Sequence, residues 1–203
     1  MVPGMTLEPR TRVAREAARL LYTGAAEEYI QAKEQAATNL GVKASPSNHE
    51  VAVELDKLAD EIEGGARQTR LAEMRGLALR LMRALEGFSP RLIGSVWRGT
   101  AHIGSDIDVV ALASSPGEVE EALSGFEVKE KGGVTFKGGV NAYHIKLRVD
   151  GYEAEVVVRR PDEYGEERCD IYGDVKRGLT LRELERLLRS DPLRRFVPRR
   201  RIR

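Results

Sequence analysis

The 203-residue chain sets 33 Lys and Arg against 32 Asp and Glu, and the resulting net charge of +1 gives no overall electrostatic case for nucleic acid. No apolar run approaches the ~18 residues that span a bilayer, and Met1 to Arg10 lacks the apolar centre of a secretion signal. A single cysteine, Cys169, excludes an internal disulfide framework, so the expectation is a cytoplasmic protein with no membrane partner.

The first half reads helical. One helical segment runs from about Arg10 to Leu40, with a break expected near Thr23-Gly24 and Gly41 as its stop. Tyr22 and Tyr29 on it could form a substrate platform, although such faces are more often core or a dimer seam. The stretch ASPSNHE is a linker and cap, in which His49 reads as structural. A helix follows with Val51, Leu55, Leu58 and Ile62 at helical spacing, and Gly64-Gly65 ends it. A third helix, from about Ala66 to Leu85, aligns Leu71, Met74, Ala78, Leu81 and Leu85 on one face.

The composition then changes. RLIGSV is a short strand and DIDVVAL a second, with a short helical turn opening at Gly94-Ser95. Ser115-Pro116-Gly117-Glu118 predicts a capping box at the start of a short helix to about Leu123. A strand near Phe126 to Glu130 leads to glycine-rich turns at Gly132-Gly133 and Gly138-Gly139. YHIKLRV-DG-YEAEVVV is a hairpin signal, because Asp-Gly between two alternating runs specifies a tight turn. The tail holds a short helix with Thr180 and Glu183 as its capping box and Leu181, Leu184 and Leu188 on its buried side. Six arginines occupy the last ten residues, a run suited to RNA or DNA phosphates or equally to a solvated tail. Arginine-rich, Asn- and Gln-poor composition also suits a heat-adapted (thermophile) source.

The chemistry concentrates in the second half. On a strand, Asp106 and Asp108 point the same way with Cα atoms roughly 6.5–7 Å apart. Like charges at that range repel unless a cation sits between them, and oxygen-only ligands suit Mg²⁺; the competing reading is a solvated strand edge. Gly94 lets backbone approach a phosphate, Ser95 adds a hydroxyl, and Arg98 lies within reach of the same space. In the hairpin, Arg148 should face Glu153 and Lys146 should face Glu155. His144, Lys146, Arg148, Glu153 and Glu155 then share one face, and Ile145, Leu147, Ala154, Val156 and Val158 the other. Arg148–Glu153 reads as a cross-strand charge pair. Glu155 lies deeper and needs a partner, either a metal or Lys146. Trp97 reads more as packing than as a base-stacking residue, and neither His102 nor His144 has the spacing of a zinc pair.

GSVWRGTAHIGSDIDVV, followed by GYEAEVVV, resembles the signature of the DNA polymerase β-type nucleotidyltransferase superfamily, and in particular the archaeal CCA-adding and minimal nucleotidyltransferases. The resemblance covers about residues 90–160 and leaves the N-terminal helices unmatched. Joined to the helical first half and the helical, basic tail, it gives an α+β chain: a helical region over 1–88, a catalytic domain over 89–165, and a C-terminal helix with basic tail over 166–203. It further implies Asp106, Asp108 and Glu155 as catalytic metal ligands for Mg²⁺ or Mn²⁺, with Glu155 standing where the family usually has Asp. Gly94, Ser95, Arg98 and Lys146 would bind the nucleotide, an NTP with ATP expected. The implied reaction is transfer of a nucleoside monophosphate to an acceptor hydroxyl, with RNA favoured on the CCA-like strand GYEAEVVV and the basic tail. An antitoxin-type transferase acting on protein, and a nucleotide- or RNA-binding module without turnover, are the alternatives.

Overall fold

Small residues at helical spacing draw the first three helices together. The structure, a computed structural model, describes residues 7–135 and 141–198. In it α1 (Pro9–Tyr22), α2 (Tyr29–Leu40) and α3 (Asn48–Glu63) bury Val13, Ala14, Ala17, Ala18, Ala32, Ala36 and Val51 in one cluster. An alanine-lined seam lets helix backbones approach closely and bury apolar area with little side-chain entropy loss. The break near Thr23-Gly24 is present, with Thr23 as the C-cap of α1 and the helix resuming at Tyr29. Helix α3 starts on a full capping box: Ser47 accepts from the Glu50 amide and Glu50 accepts from the Ser47 amide. The face expected from Val51, Leu55, Leu58 and Ile62 is only partly right. Ile62 is exposed, and Ala52 and Ala59 are buried with Val51 instead.

Helix α4 (Gly65–Ala84) belongs to a different core. Its Leu71, Met74, Ala78, Leu81 and Met82 pack with Leu85 against the sheet. That sheet has β1 (Arg91–Ile93), β2 (Ile107–Leu112), β3 (Glu127–Thr135), β4 (Asn141–Val149), β5 (Tyr152–Arg159) and β6 (Leu179–Thr180), in the order β3-β4-β5-β2-β1-β6. β2 and β5 run parallel and the other neighbours antiparallel, so the fold is α+β with a mixed sheet. Alternation puts Ile107, Val109, Ala111, Ile145, Leu147, Val149, Ala154, Val156 and Val158 in the core. Short helices α5 (Gly94–Arg98) and α6 (Pro116–Ala122) follow β1 and β2, and α7 (Leu181–Ser190) packs Leu184 and Leu187 into the same core.

The hairpin register is as expected: Val149 pairs with Tyr152, Arg148 with Glu153 and Lys146 with Glu155. Asp150 (φ 48°) and Gly151 (φ 89°) both take positive φ, the requirement of the twist-matched two-residue turn. Two local expectations need correction. Gly132-Gly133 is no turn: both residues lie inside β3, opposite His144 and Tyr143, because β4 offers a complete hydrogen-bonding partner there. Gly138-Gly139 falls outside the described residues. Ser115 does precede α6, but its hydroxyl makes no capping bond, so Pro116 and the backbone start that helix. The box at Thr180 and Glu183 does form.

The C-terminal segment is fastened from beneath. Arg75 of α4, with no exposed surface, donates to the carbonyls of Val96 (3.1 Å), Trp97 (2.9 Å), Pro192 (2.5 Å) and Arg194 (2.9 Å). Burial pushes its pKa down to about 10, opposed by the charge of Asp191. Arg67 similarly ties Asp56 and Asp60 of α3 to the carbonyls of Thr100 and Ala101. Among the described residues no helix is long and apolar enough to cross a membrane.

Candidate active site

Two strand ends and one glycine build the acidic centre. In β1–β2, Ile93 lies opposite Asp108, and in β2–β5 Asp108 lies opposite Glu155. Residues directly paired in a sheet share a face, so Asp108, Glu155 and Lys146 form one row across three strands, on the side away from the core. The chain leaves β1 at Gly94 with φ +69°, a region that side chains other than glycine rarely adopt. A Cβ at Gly94 would stand 2.9 Å from Asp108 Cγ and closer still to Oδ2. Glycine is therefore required twice over, by its backbone and by the carboxylate that occupies the space of the missing side chain.

Asp106 does not sit on the strand. β2 begins at Ile107, and Asp106 stands exposed at its mouth. The two aspartates are still electrostatic neighbours. Burial, then the charges of Asp106 and Glu155, push the pKa of Asp108 up to about 7. Partial burial of its carboxyl, then the charges of Glu153 and Glu155, raise the pKa of Asp106, and Lys146 opposes this. The carboxyls of Asp106, Asp108 and Glu155 form an oxygen-only donor set, the type that hard divalent cations take. Among the described residues no group of three or more His, Cys, Asp or Glu is gathered tightly enough to hold a metal as it stands. One oxygen of Glu155 lies 2.9 Å from His144 Nδ1.

A cleft of about 850 Å³ opens beside these acids. Ile93, Gly94, Ser95, Ser105, Asp106 and Asp108 line one end. Leu21, Ala26, Tyr29, Ala52 and Leu55 from α1, the loop after it, α2 and α3 also line it, as do Cys169, Ile171, Tyr172 and Lys176 from the segment before β6. Glu155 and Lys146 lie beside the cleft rather than on its wall. Tyr29 is a wall residue, as a substrate platform requires, and burial raises its phenol far above the ordinary range. Tyr22 instead lies tilted against His102, with ring centroids 5.6 Å apart, and burial lowers the pKa of that histidine. His49 makes an edge contact with Tyr172.

Two expected nucleotide contacts change role. Arg98 reaches the cleft wall, but its guanidinium is spent inside the protein. It holds both oxygens of Asp174 at 2.7 Å, donates to the Phe196 carbonyl at 2.9 Å, and packs over Trp97 and Tyr172. Its work is to anchor the segments that wall the cleft, and buried Trp97 is packing. Lys146 does not bond Glu155; its ammonium meets Glu130 of β3 at 3.1 Å, the next residue along the row. Lys176 was not singled out from the sequence. It stands on the cleft wall with a side chain 41% exposed and only a loose 3.7 Å ion pair to Glu167. No motif surrounds it, so only the folded chain reveals it.

Arg194 and Arg195 are the described part of the basic tail. Arg194 lies over Phe196, and Arg195 pairs with Asp56 on the cleft wall; Arg199, Arg200, Arg201 and Arg203 lie outside the described residues.

Comparison with solved structures finds likeness to a cytoplasmic RNA terminal U-transferase, at 21% identity over 55% of this chain and 34% of that one, with a TM-score of 0.32. The Cid1 poly(U) polymerase matches at 18% identity over 54% of this chain and 36% of its own, TM-score 0.33. The GLD-2/RNP-8 complex matches at 15% identity over 51% and 38%, TM-score 0.33. The chain spans about a third of the length of these structures. No protein-family model and no curated protein matches it.

Proposed function

We propose that the protein is a Mg²⁺- or Mn²⁺-dependent nucleotidyltransferase that moves a nucleoside monophosphate from an NTP, with ATP the first donor to test, to a hydroxyl group of an RNA acceptor. One observation carries this reading: Asp106 and Asp108, with Glu155 alongside, meet the Gly94-Ser95 turn at the end of a cleft of about 850 Å³. The volume falls in the range of small-molecule sites.

Divalent cations held by Asp106, Asp108 and Glu155 would supply charge neutralisation at the α-phosphate and the departing pyrophosphate. The chain's own groups do the rest. Gly94 leaves the Asp108 carboxylate open to the cleft, and the Ser95 hydroxyl and the Lys176 ammonium are the donors for the outer phosphates. Tyr29, Tyr172, Leu21 and Leu55 offer the base an aromatic and apolar wall, where stacking is worth about 1–3 kcal/mol. A carboxylate of the acidic trio takes the proton of the acceptor hydroxyl. The new bond joins the acceptor oxygen to the α-phosphorus, the α–β bridging bond breaks, and pyrophosphate leaves. Support for RNA as acceptor is the arginine-rich composition of the tail, of which Arg195 pairs with Asp56 on the cleft wall.

The test is transfer of label from α-labelled ATP in Mg²⁺, offered RNA and the proteins that co-purify. Labelled RNA with wild type and none with Asp106→Ala is the expected result. Label on a protein alone would replace RNA as the acceptor. Nucleotide binding with no transfer would leave a binding module, and failure to bind nucleotide with Mg²⁺ would end the catalytic reading.

A further inference from the structure

Glu155 occupies a place where the resembled signature carries the shorter aspartate. The extra methylene adds a rotatable bond, and a longer side chain on a strand needs something to fix its direction before it can serve a ligand. The directly opposing residue does not provide this. Lys146 faces Glu155 across β4–β5 yet turns to Glu130. The residue that takes Glu155 is the diagonal one. His144, paired with Val157 two positions farther along β5, brings Nδ1 to 2.9 Å from Glu155 Oε1. Both side chains are substantially shielded, with 21% and 26% of their surfaces exposed. With Glu155 as an accepting carboxylate, Nδ1 is the donor of this contact.

From this geometry we infer that His144 is a positioning residue of the acidic centre: it holds one oxygen of Glu155, so that the other is presented beside Asp108 as a divalent-cation ligand. The inference rests on the metal-dependent reading above. A groups-behind-the-ligand arrangement of this kind fixes rotamer and typically changes metal affinity by about 10–100-fold when removed. A cross-strand pair with no part in metal binding would alter stability alone.

The test is Mn²⁺ binding to the full chain, followed by the electron paramagnetic resonance of free Mn²⁺, with thermal midpoints recorded in parallel. Wild type should bind, and Asp106→Asn should not. His144→Ala should weaken binding by about 10–100-fold, whereas His144→Asn, which keeps a donor near the Nδ1 position, should stay within a few-fold of wild type. The double variant His144→Ala/Glu155→Gln should bind no worse than Glu155→Gln, since His144 acts through Glu155. Should His144→Ala fail to fold, His144→Leu, which keeps the volume and lacks the donor, takes its place in each comparison. Wild-type affinity in the donor-less variant, with Asp106→Asn still defective, overturns the role of His144 and leaves the metal reading standing. Absence of Asp106-dependent Mn²⁺ binding in the wild type removes the metal reading itself, and this inference with it.

Discussion

Asp108 shows how one residue's surroundings anticipate a ligand. Its carboxylate fills the space where a side chain at position 94 would be, with Asp106 and Glu155 near enough to disfavour its charge. An acid whose folded pKa is raised, here from 3.8 to about 7, is harder to ionise in the fold than in the unfolded chain. The metal-free protein should therefore be most stable below about pH 4 on this group's account and lose stability as pH rises to about 7. Asp108→Asn should raise the metal-free thermal midpoint at pH 8, an effect on the order of 4 kcal/mol. Added Mg²⁺ should raise the wild-type midpoint and leave that of the variant unmoved. Calorimetry with and without chelator reads both. A wild-type midpoint indifferent to Mg²⁺ would count against a cation site here. The sequence singled out Gly94, Ser95, Asp106, Asp108 and Glu155, and the fold sets the first four on one cleft with Glu155 paired to Asp108. Two contacts were not legible in it, because they depend on partners remote in sequence. Arg98 is taken by Asp174 and Phe196, and Lys146 by Glu130.

Elements with strong local signals came through. The Asp150-Gly151 turn set the register of β4 and β5, and with it the face on which Glu155 sits. Where tertiary pairing overrode local chemistry the reading failed, as at Gly132-Gly133, which local chemistry makes a turn and β4 makes a strand. Helix α3 offers a test at this scale. Its capping box uses Glu50, whose pKa is lowered from 4.5 to about 2, first by the Arg10 side chain and then, against the cost of burial, by the Ser47 amide and hydroxyl. A depressed acid contributes stability above its unfolded pKa and loses it as pH falls through the folded value. The contribution should thus fade between about pH 4.5 and about pH 2. Ser47→Ala should cost about 0.5–2 kcal/mol, and Glu50→Gln should flatten the acid limb of the stability curve. Urea midpoints measured from pH 2 to 7 decide it; an unchanged limb in Glu50→Gln would show that other carboxylates dominate acid unfolding.

At the scale of the molecule, two hydrophobic clusters flank one cleft. The alanine-rich trio α1–α3 forms one, and α4 with the sheet and α7 forms the other. Neither the cleft nor Lys176 on its wall could be read from local pattern, because both arise where segments far apart in the chain converge. Buried arginines join these parts, and in the sequence they look like ordinary helix-surface charges. Arg75 is the extreme case, holding four backbone carbonyls from α5 and the segment after α7. Arg75→Met keeps the volume and abandons those carbonyls, each costing about 1–3 kcal/mol where water cannot replace the donor. The thermal midpoint should fall sharply, and residues 192–196 should become the first site of proteolysis; cleavage no faster than in wild type would show that the segment is held by its other contacts.

The central claim is that the acids at the end of the cleft form a cation-dependent nucleotide site. The most direct measurement is a crystal structure of the full chain with Mg²⁺ and a non-hydrolysable NTP. The account predicts metal density bridging Asp106 and Asp108, Glu155 reaching it from beside His144, and phosphates against Gly94 and Ser95. A nucleotide bound elsewhere, or phosphates seated in the cleft with no cation on either aspartate, would contradict it.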